Sequence, residues 1–229
     1  MRPYVIINAA MSADGKISTP LRRQTAISGT DDFARVQRLR ADCDAVLVGI
    51  GTIKSDDPSL RIKDEKLIEE RLNQGKMPEP FRIIVDSKAE FPLDSDMFKK
   101  GAGEIIVVVS KSAPEERVAE LNDWALVVQC GEDKVDLDAM LDALGDIGIE
   151  KLMVEGGSTI LWSFMSQRLF DEIRIYVGAL IIGGATSPTF ADGEGFTKPE
   201  EFTRLTLKSA EKIDDGILLT WLKKNKLIL

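Results

Sequence analysis

The sequence predicts an α/β protein: a central, mostly parallel sheet flanked by helices, with antiparallel strands added at the C-terminal end. Three observations carry this. Short apolar runs rich in β-branched residues alternate with helical patterns from residue 3 to residue 167. Gly- or Asp-containing turns end several of those runs. Beyond residue 172 the chain is strand-like with no strong helix between the strands. The 229 residues are 44% hydrophobic, enough to bury a sizeable core, and one domain over residues 1–229 is expected.

The elements follow in order. Pro3 to Met11 is apolar and β-branched, which suits a buried strand, and Asp14-Gly15 marks a turn. A helix begins at Thr30, with Thr30 or Asp31 as its cap; Asp31 and Asp32 suit its first turn because carboxylates are stabilised at helix N-termini. Ala45 to Ile50 is the second strand, Phe81 to Asp86 the third, Glu104 to Ser110 the fourth and Ala125 to Gln129 the fifth. Ala113 to Leu121 reads as a helix with Pro114 near its first turn. Asp136 to Ile147 is another, with Leu137, Met140, Leu141 and Leu144 on one face. Lys151 to Glu155 is the sixth strand, and Ser158 to Gln167 the helix after it. Glu172 to Ile182, Phe202 to Ser209 and Gly216 to Leu222 complete the strand set. Residues 63–80, charged and ending in two prolines, read as an exposed excursion within the domain.

Composition narrows the chemistry. The chain has no histidine, which removes the commonest general base and metal ligand together and excludes Ser-His-Asp, Cys-His and His-ligated zinc sites. Carboxylates, lysine, hydroxyls or an imported cofactor must do the work. A net charge of −8 opposes binding to a nucleic-acid backbone. A small phosphorylated ligand is still accessible to local cations and backbone N–H groups. Cys43 and Cys130 form no CxxC pattern and read as buried thiols. No run is long enough to span a membrane, and the start lacks the features of a signal peptide, so a cytoplasmic protein is expected.

Three segments carry functional chemistry. In Asn8-x-x-Met11-x-x-Asp14-Gly15-Lys16, Asp14 and Lys16 follow the first strand; open α/β sheets bind ligands beyond such carboxyl ends, although an ordinary Asp-Gly turn explains the segment alone. In the second, a strand runs into Gly49-Ile-Gly51-Thr52, followed by Ser55-Asp56-Asp57-Pro58. Glycines let a backbone approach a ligand, and a helix start attracts phosphate. Lys54 stands where a dinucleotide-binding fingerprint needs its third glycine, so that motif is absent, and a tight strand-to-helix turn with Asp56 or Asp57 as cap is an equal reading. In the third, an apolar strand ends in Glu155, then Gly156-Gly157 and the hydroxyls of Ser158 and Thr159 at a helix start. Ser158 serving only as an N-cap is the plainer account, but a carboxylate ending a buried strand needs exposure, a partner or a ligand. Asp86-Ser87-Lys88 and Ser110-Lys111-Ser112 each set a hydroxyl and a cation after a strand, where a 2′-phosphate would be received.

These residues resemble the riboflavin-biosynthesis reductases. The resemblance lies in N-A-A-M-S-A-D-G-K, in the block from Leu39 to Leu60 that contains D-A-V-L-V-G-I-G-T and D-D-P-S-L, in V-E-G-G-S at 154–158, and in the late I-I-G-G-A-T-S-P-T-F-A-D-G-E-G-F. It implies a dihydrofolate-reductase-like fold, NADPH as hydride donor and a homodimer. With no zinc-deaminase signature and no room before Met1, the chain looks like the standalone archaeal or fungal type. That type reduces 2,5-diamino-6-ribosylamino-4(3H)-pyrimidinone 5′-phosphate before deamination. On the cofactor side the resemblance implies Thr52, Asp56, Gly49, Gly51, Gly156, Gly157, Ser158 and Thr159, with Ser87 and Lys88 at the 2′-phosphate. On the substrate side it implies Asn8, Met11, Asp14, Lys16 and Glu155, with Arg40 and Lys63 as phosphate contacts. Lys16, Asp14 and Glu155 are the catalytic candidates, and either carboxylate would serve ring opening or proton delivery. Arg61 and Lys63 stand where the bacterial type often has Thr and Arg, which shifts the expected phosphate grip. Three alternatives share the fold: a reductase of the deaminated pyrimidine, a dihydrofolate reductase, and a non-catalytic nucleotide-binding protein.

Overall fold

The computed structural model describes residues 1–23 and 25–224. Two compact units emerge. Met1–Tyr4 and Arg35–Met153 form the first; Val5–Ala34 and the chain from Val154 onward form the second.

The first unit is the alternating half of the sequence. Strands β2 (Ala45–Gly49), β3 (Phe81–Val85), β4 (Ile105–Val109) and β5 (Leu126–Gln129) lie parallel in consecutive pairs, and the start of β6 (Lys151–Gly156) extends the order to β5-β4-β3-β2-β6. Every residue of β4 is buried, as its unbroken Val/Ile run requires of a strand covered on both faces. Helix α6 (Leu137–Asp146) buries Leu137, Met140, Leu141 and Leu144, the stripe expected from spacing, and Asp136 caps it by accepting from the N–H groups of Asp138 and Ala139. Helix α5 (Glu115–Asn122) starts after Pro114.

One expectation fails here. Residues 63–80 are not simply an exposed excursion: they contain helix α3 (Glu65–Asn73), capped by Asp64. Its apolar anchor is Leu67, which packs with Ala41 and Ile62. Its second anchor is a cation. Arg71 is buried and donates to the carbonyls of Ala41 and Cys43 at 2.7 Å and of Met77 at 2.9 Å. A charge-dense sequence hides a helix that buries one leucine and one arginine. Arg82 of β3 is used in the same way, donating to Met97, Lys100 and Gly103 carbonyls. A short helix α4 (Asp96–Lys99), capped by Ser95, adds an element that the sequence pattern does not mark.

The second unit takes the end of β6 and continues as β6-β1-β7-β9-β8. Strand β1 (Tyr4–Ser12) runs parallel to β7 (Glu172–Gly178); β9 (Gly216–Lys223) is antiparallel to both β7 and β8 (Leu205–Ile213). The expected mixed sheet is therefore present. Strand β7 ends at Gly178, not at Ile182, because the chain bends directly after it, with Leu180 N donating to the Gly178 carbonyl at 2.9 Å. Helix α1 (Thr30–Asp42) begins where expected, but its first N–H groups are not left to Thr30 or Asp31. The carboxylate of Asp214, in the β8–β9 turn, accepts from Asp31 N at 3.2 Å and Asp32 N at 3.0 Å.

Candidate active site

In the second unit, the segment that follows β7 folds against the turn that follows β1. Ser12 N donates to the Lys16 carbonyl at 2.8 Å, and Lys16 N donates to Ser12 Oγ at 2.9 Å, closing the turn that contains Asp14 and Gly15. The segment after β7 lies against it: Ala13 N donates to Leu180 O at 2.8 Å and Ile17 N to Pro188 O at 3.0 Å. The Lys16 ammonium donates to the Ser187 carbonyl at 3.1 Å. Asp14 accepts from Ser12 Oγ at 2.5 Å, Ile182 N at 3.1 Å and Gly183 N at 2.7 Å. The Ser12 hydroxyl first, then the Ile182 and Gly183 N–H groups, hold its carboxyl down at about 2.

Asn8 and Met11 lie on β1. Asn8 is 5% exposed, and its Oδ1 has no partner among the described residues. A buried amide oxygen without a donor is costly, so a ligand donor would relieve it. Glu155, next to last in β6, is half-buried. The next peptide, Gly156–Gly157, is cis, and Gly156 has φ +127°, which only glycine adopts readily. Helix α7 (Ser158–Ser166) follows with Gly157 as its N-cap and no side-chain cap, so Ser158 is inside the helix and is not its cap. Its carbonyl accepts from Asp192 N at 3.3 Å, and its hydroxyl is held by the Asp192 carboxylate. Burial raises the Asp192 carboxyl, but the hydrogen bonds from Thr189 and Ser158 outweigh it and hold it low. Thr159 is exposed. The structure thus brings Asp14, Lys16 and Ser187 together, and separately joins Ser158 to Asp192.

In the first unit, β2 runs into helix α2 (Ile50–Asp56), with Gly49 as N-cap and no side-chain cap. Gly51 is exposed, and a Cβ built on it meets nothing within 4 Å. A helical glycine costs about 0.5–1 kcal/mol relative to alanine. Nothing among the described residues requires that cost, so the open space suits a ligand that approaches the backbone. Thr52 is half-buried and Asp56 exposed on this helix. Asp57 follows as C-cap and ties the loop, accepting from Ser95 Oγ at 2.5 Å and Asp96 N at 2.8 Å. Ser87 Oγ accepts from Val135 N at 3.0 Å, and Lys88 is exposed beside it. Lys111 is paired with Glu132 at 2.6 Å. Arg40 donates to the Arg61 carbonyl at 3.0 Å, and Lys63 N donates to Gln37 Oε1 at 2.6 Å.

Sequence reasoning assigned no role to the segment from Gly183 to Gly195. Its placement against the turn after β1 depends on contacts between residues more than 150 positions apart, for which no local pattern exists. No helix among the described residues is long and apolar enough to cross a membrane.

Residues 3–219 match the model of the RibD C-terminal domain. This chain belongs to that family. It is 46% identical over 220 residues to the 2,5-diamino-6-ribosylamino-4(3H)-pyrimidinone 5′-phosphate reductase of Archaeoglobus fulgidus, covering 96% of this chain and 98% of that one. The reductase of the same name from Methanothermobacter thermautotrophicus is 41% identical, covering 98% of this chain and all of that one. Among solved structures, Acinetobacter baumannii RibD superposes with a TM-score of 0.80 at 22% identity, covering 98% of this chain and 59% of that one. That likeness establishes the shared fold.

Proposed function

We propose that this chain is an NADPH-dependent reductase that converts the ribosylamino side chain of 2,5-diamino-6-ribosylamino-4(3H)-pyrimidinone 5′-phosphate to a ribitylamino group. The observation that carries the proposal is end-to-end identity of 46% and 41% with two reductases of that name. The site residues fit a dinucleotide. Gly51 leaves open space above its backbone, and no side chain caps α2 or α7. In the first unit Gly49, Gly51, Thr52 and Asp56 would hold the cofactor, with Ser87 and Lys88 at its 2′-phosphate. In the second unit Gly156, Gly157, Ser158 and Thr159 would hold it.

The ribosylamine opens when the bond from C1′ to the ring oxygen breaks: the oxygen takes a proton, and the exocyclic nitrogen gives up its own as it becomes doubly bonded to C1′. A bound nicotinamide would supply the hydride for C1′, and the nitrogen takes a proton back. The chain's own residues bind and orient. Lys16 offers a cation, Asn8 an unspent amide oxygen and Glu155 a half-buried carboxylate. Arg40 and Lys63 are assigned to the substrate phosphate. A homodimer and a cytoplasmic location belong to the same reading and are supported by the family resemblance.

The test follows NADPH absorbance with three substrates: the diaminopyrimidinone phosphate, its deaminated analogue, and dihydrofolate. Turnover of the first alone is the expected result. Preference for the deaminated compound would reverse the order of the two steps, and silence with both pyrimidines would remove the assignment.

A further inference from the structure

Lys16, Asp14 and Glu155 all stand near the end of a strand, and the family resemblance leaves proton transfer open between the two carboxylates. The structure separates them. Asp14 accepts from Ser12 Oγ and Ile182 N through Oδ1, and from Gly183 N through Oδ2. Two consecutive backbone N–H groups converging on one carboxylate form a backbone anion nest. Gly183 and Gly184, at φ +70° and +85°, give the backbone the curvature that follows it. This segment, between β7 and the turn at Ser187, has no strand or helix of its own. The same segment then supplies the Ser187 carbonyl to the Lys16 ammonium at 3.1 Å, and its Thr189 forms an antiparallel bridge with Lys16. The placement of Lys16 depends on this segment, and the segment depends on Asp14.

We propose that Asp14 transfers no proton and is instead a positioning residue, which through Ile182 and Gly183 holds the segment that places Lys16. Three protein donors take three of the roughly four acceptor sites of the carboxylate, so both of its oxygens are turned to the protein's own N–H and O–H groups. With its carboxyl held at about 2, it is a poor proton donor at neutral pH and a weak base. Proton transfer then falls to Glu155 or to solvent. The kinetic half of this inference rests on the reductase reading; the positional half does not.

The experiment pairs two measurements on the full chain carrying Asp14→Ala or Asp14→Asn. Hydrogen exchange is followed at the Ile182 and Gly183 amides without ligand. Protection is expected to be lost in Asp14→Ala and partly kept in Asp14→Asn, which retains an oxygen acceptor. Steady-state kinetics are then measured against pH. KM for the pyrimidine phosphate is expected to rise about tenfold in Asp14→Ala and less in Asp14→Asn, with kcat falling less than KM rises. Both limbs of the kcat–pH profile should survive. A fall in kcat of about 100-fold or more, equal in both variants and with one limb lost, would make Asp14 the acid or base. Unchanged exchange at Ile182 and Gly183 would overturn the positional role. Should Asp14→Ala fail to fold, Asp14→Asn decides both measurements. An inert wild type would remove the reductase reading, with the exchange result still deciding what Asp14 holds.

Discussion

At Gly51 a residue carries a cost that the fold does not ask for. Replacing it with alanine adds a Cβ that touches nothing and removes about 0.5–1 kcal/mol of helical penalty. Gly51→Ala is therefore expected to melt at the same temperature as wild type or slightly above it, while binding NADPH more weakly. Thermal unfolding and a cofactor fluorescence titration check the two halves, and unchanged affinity would remove Gly51 from the cofactor site. Asp86 is the opposite case, a residue the fold tolerates at a cost. It is 1% exposed, its Oδ2 accepts from Phe91 N at 2.7 Å, and its Oδ1 has no partner among the described residues. Burial pushes its carboxyl up, against the N–H groups that hold it down. A raised acid contributes stability below its ordinary pKa and loses it as pH rises through the folded value. Asp86→Asn cannot ionise, so it should raise the melting temperature near neutral pH and lose that advantage near pH 4, where melts of both proteins converge.

At the scale of elements, helix ends are secured by carboxylates from near and far. Asp136 caps α6 from one residue away, a pattern visible in the sequence; Asp214 supports α1 across more than 180 residues, a pattern that is not. Asp214 also sits at φ +49°, which Asn tolerates better than Ala. Asp214→Asn should therefore cost less than Asp214→Ala, whose loss is about 1–2 kcal/mol from the missing cap together with the backbone. Denaturant melts of the two variants test the order, and equal losses would leave the helix contact without weight. Helix α3 shows why composition misleads at this scale. Its charges satisfied the pattern of a solvated loop, yet Arg71 is held in the interior by three carbonyls that only the folded chain assembles.

For the whole molecule, the carboxylates decide the response to acid. Asp14 is held at about 2 by Ser12 and two N–H groups. Glu172 is raised by burial but held low overall by Arg174 and Lys208, and Asp192 is held low by Thr189 and Ser158. Groups with depressed folded values contribute stability above their ordinary pKa and lose it as pH falls through the folded value. Stability should accordingly hold down to about pH 4 and decline steadily toward pH 2, as the charge passes to the sign of the 30 Lys and Arg residues. Thermal melts across that range check the window; a loss centred near pH 6 would point to groups other than these carboxylates.

The sequence by itself determined the succession of strands and helices, the parallel-then-antiparallel order, the absence of histidine chemistry and the family, because periodicity, turn residues and motifs are local. Gly49 to Asp56 and Glu155 to Thr159 were legible as candidate segments for the same reason. Only the tertiary structure decided that Asp14 faces backbone N–H groups, that Ser158 meets Asp192, and that residues 63–80 contain a helix anchored by Arg71. Each of those outcomes depends on where the unpaired donors and acceptors of a distant segment come to lie, and a buried polar group takes whichever partner the folded chain brings to it.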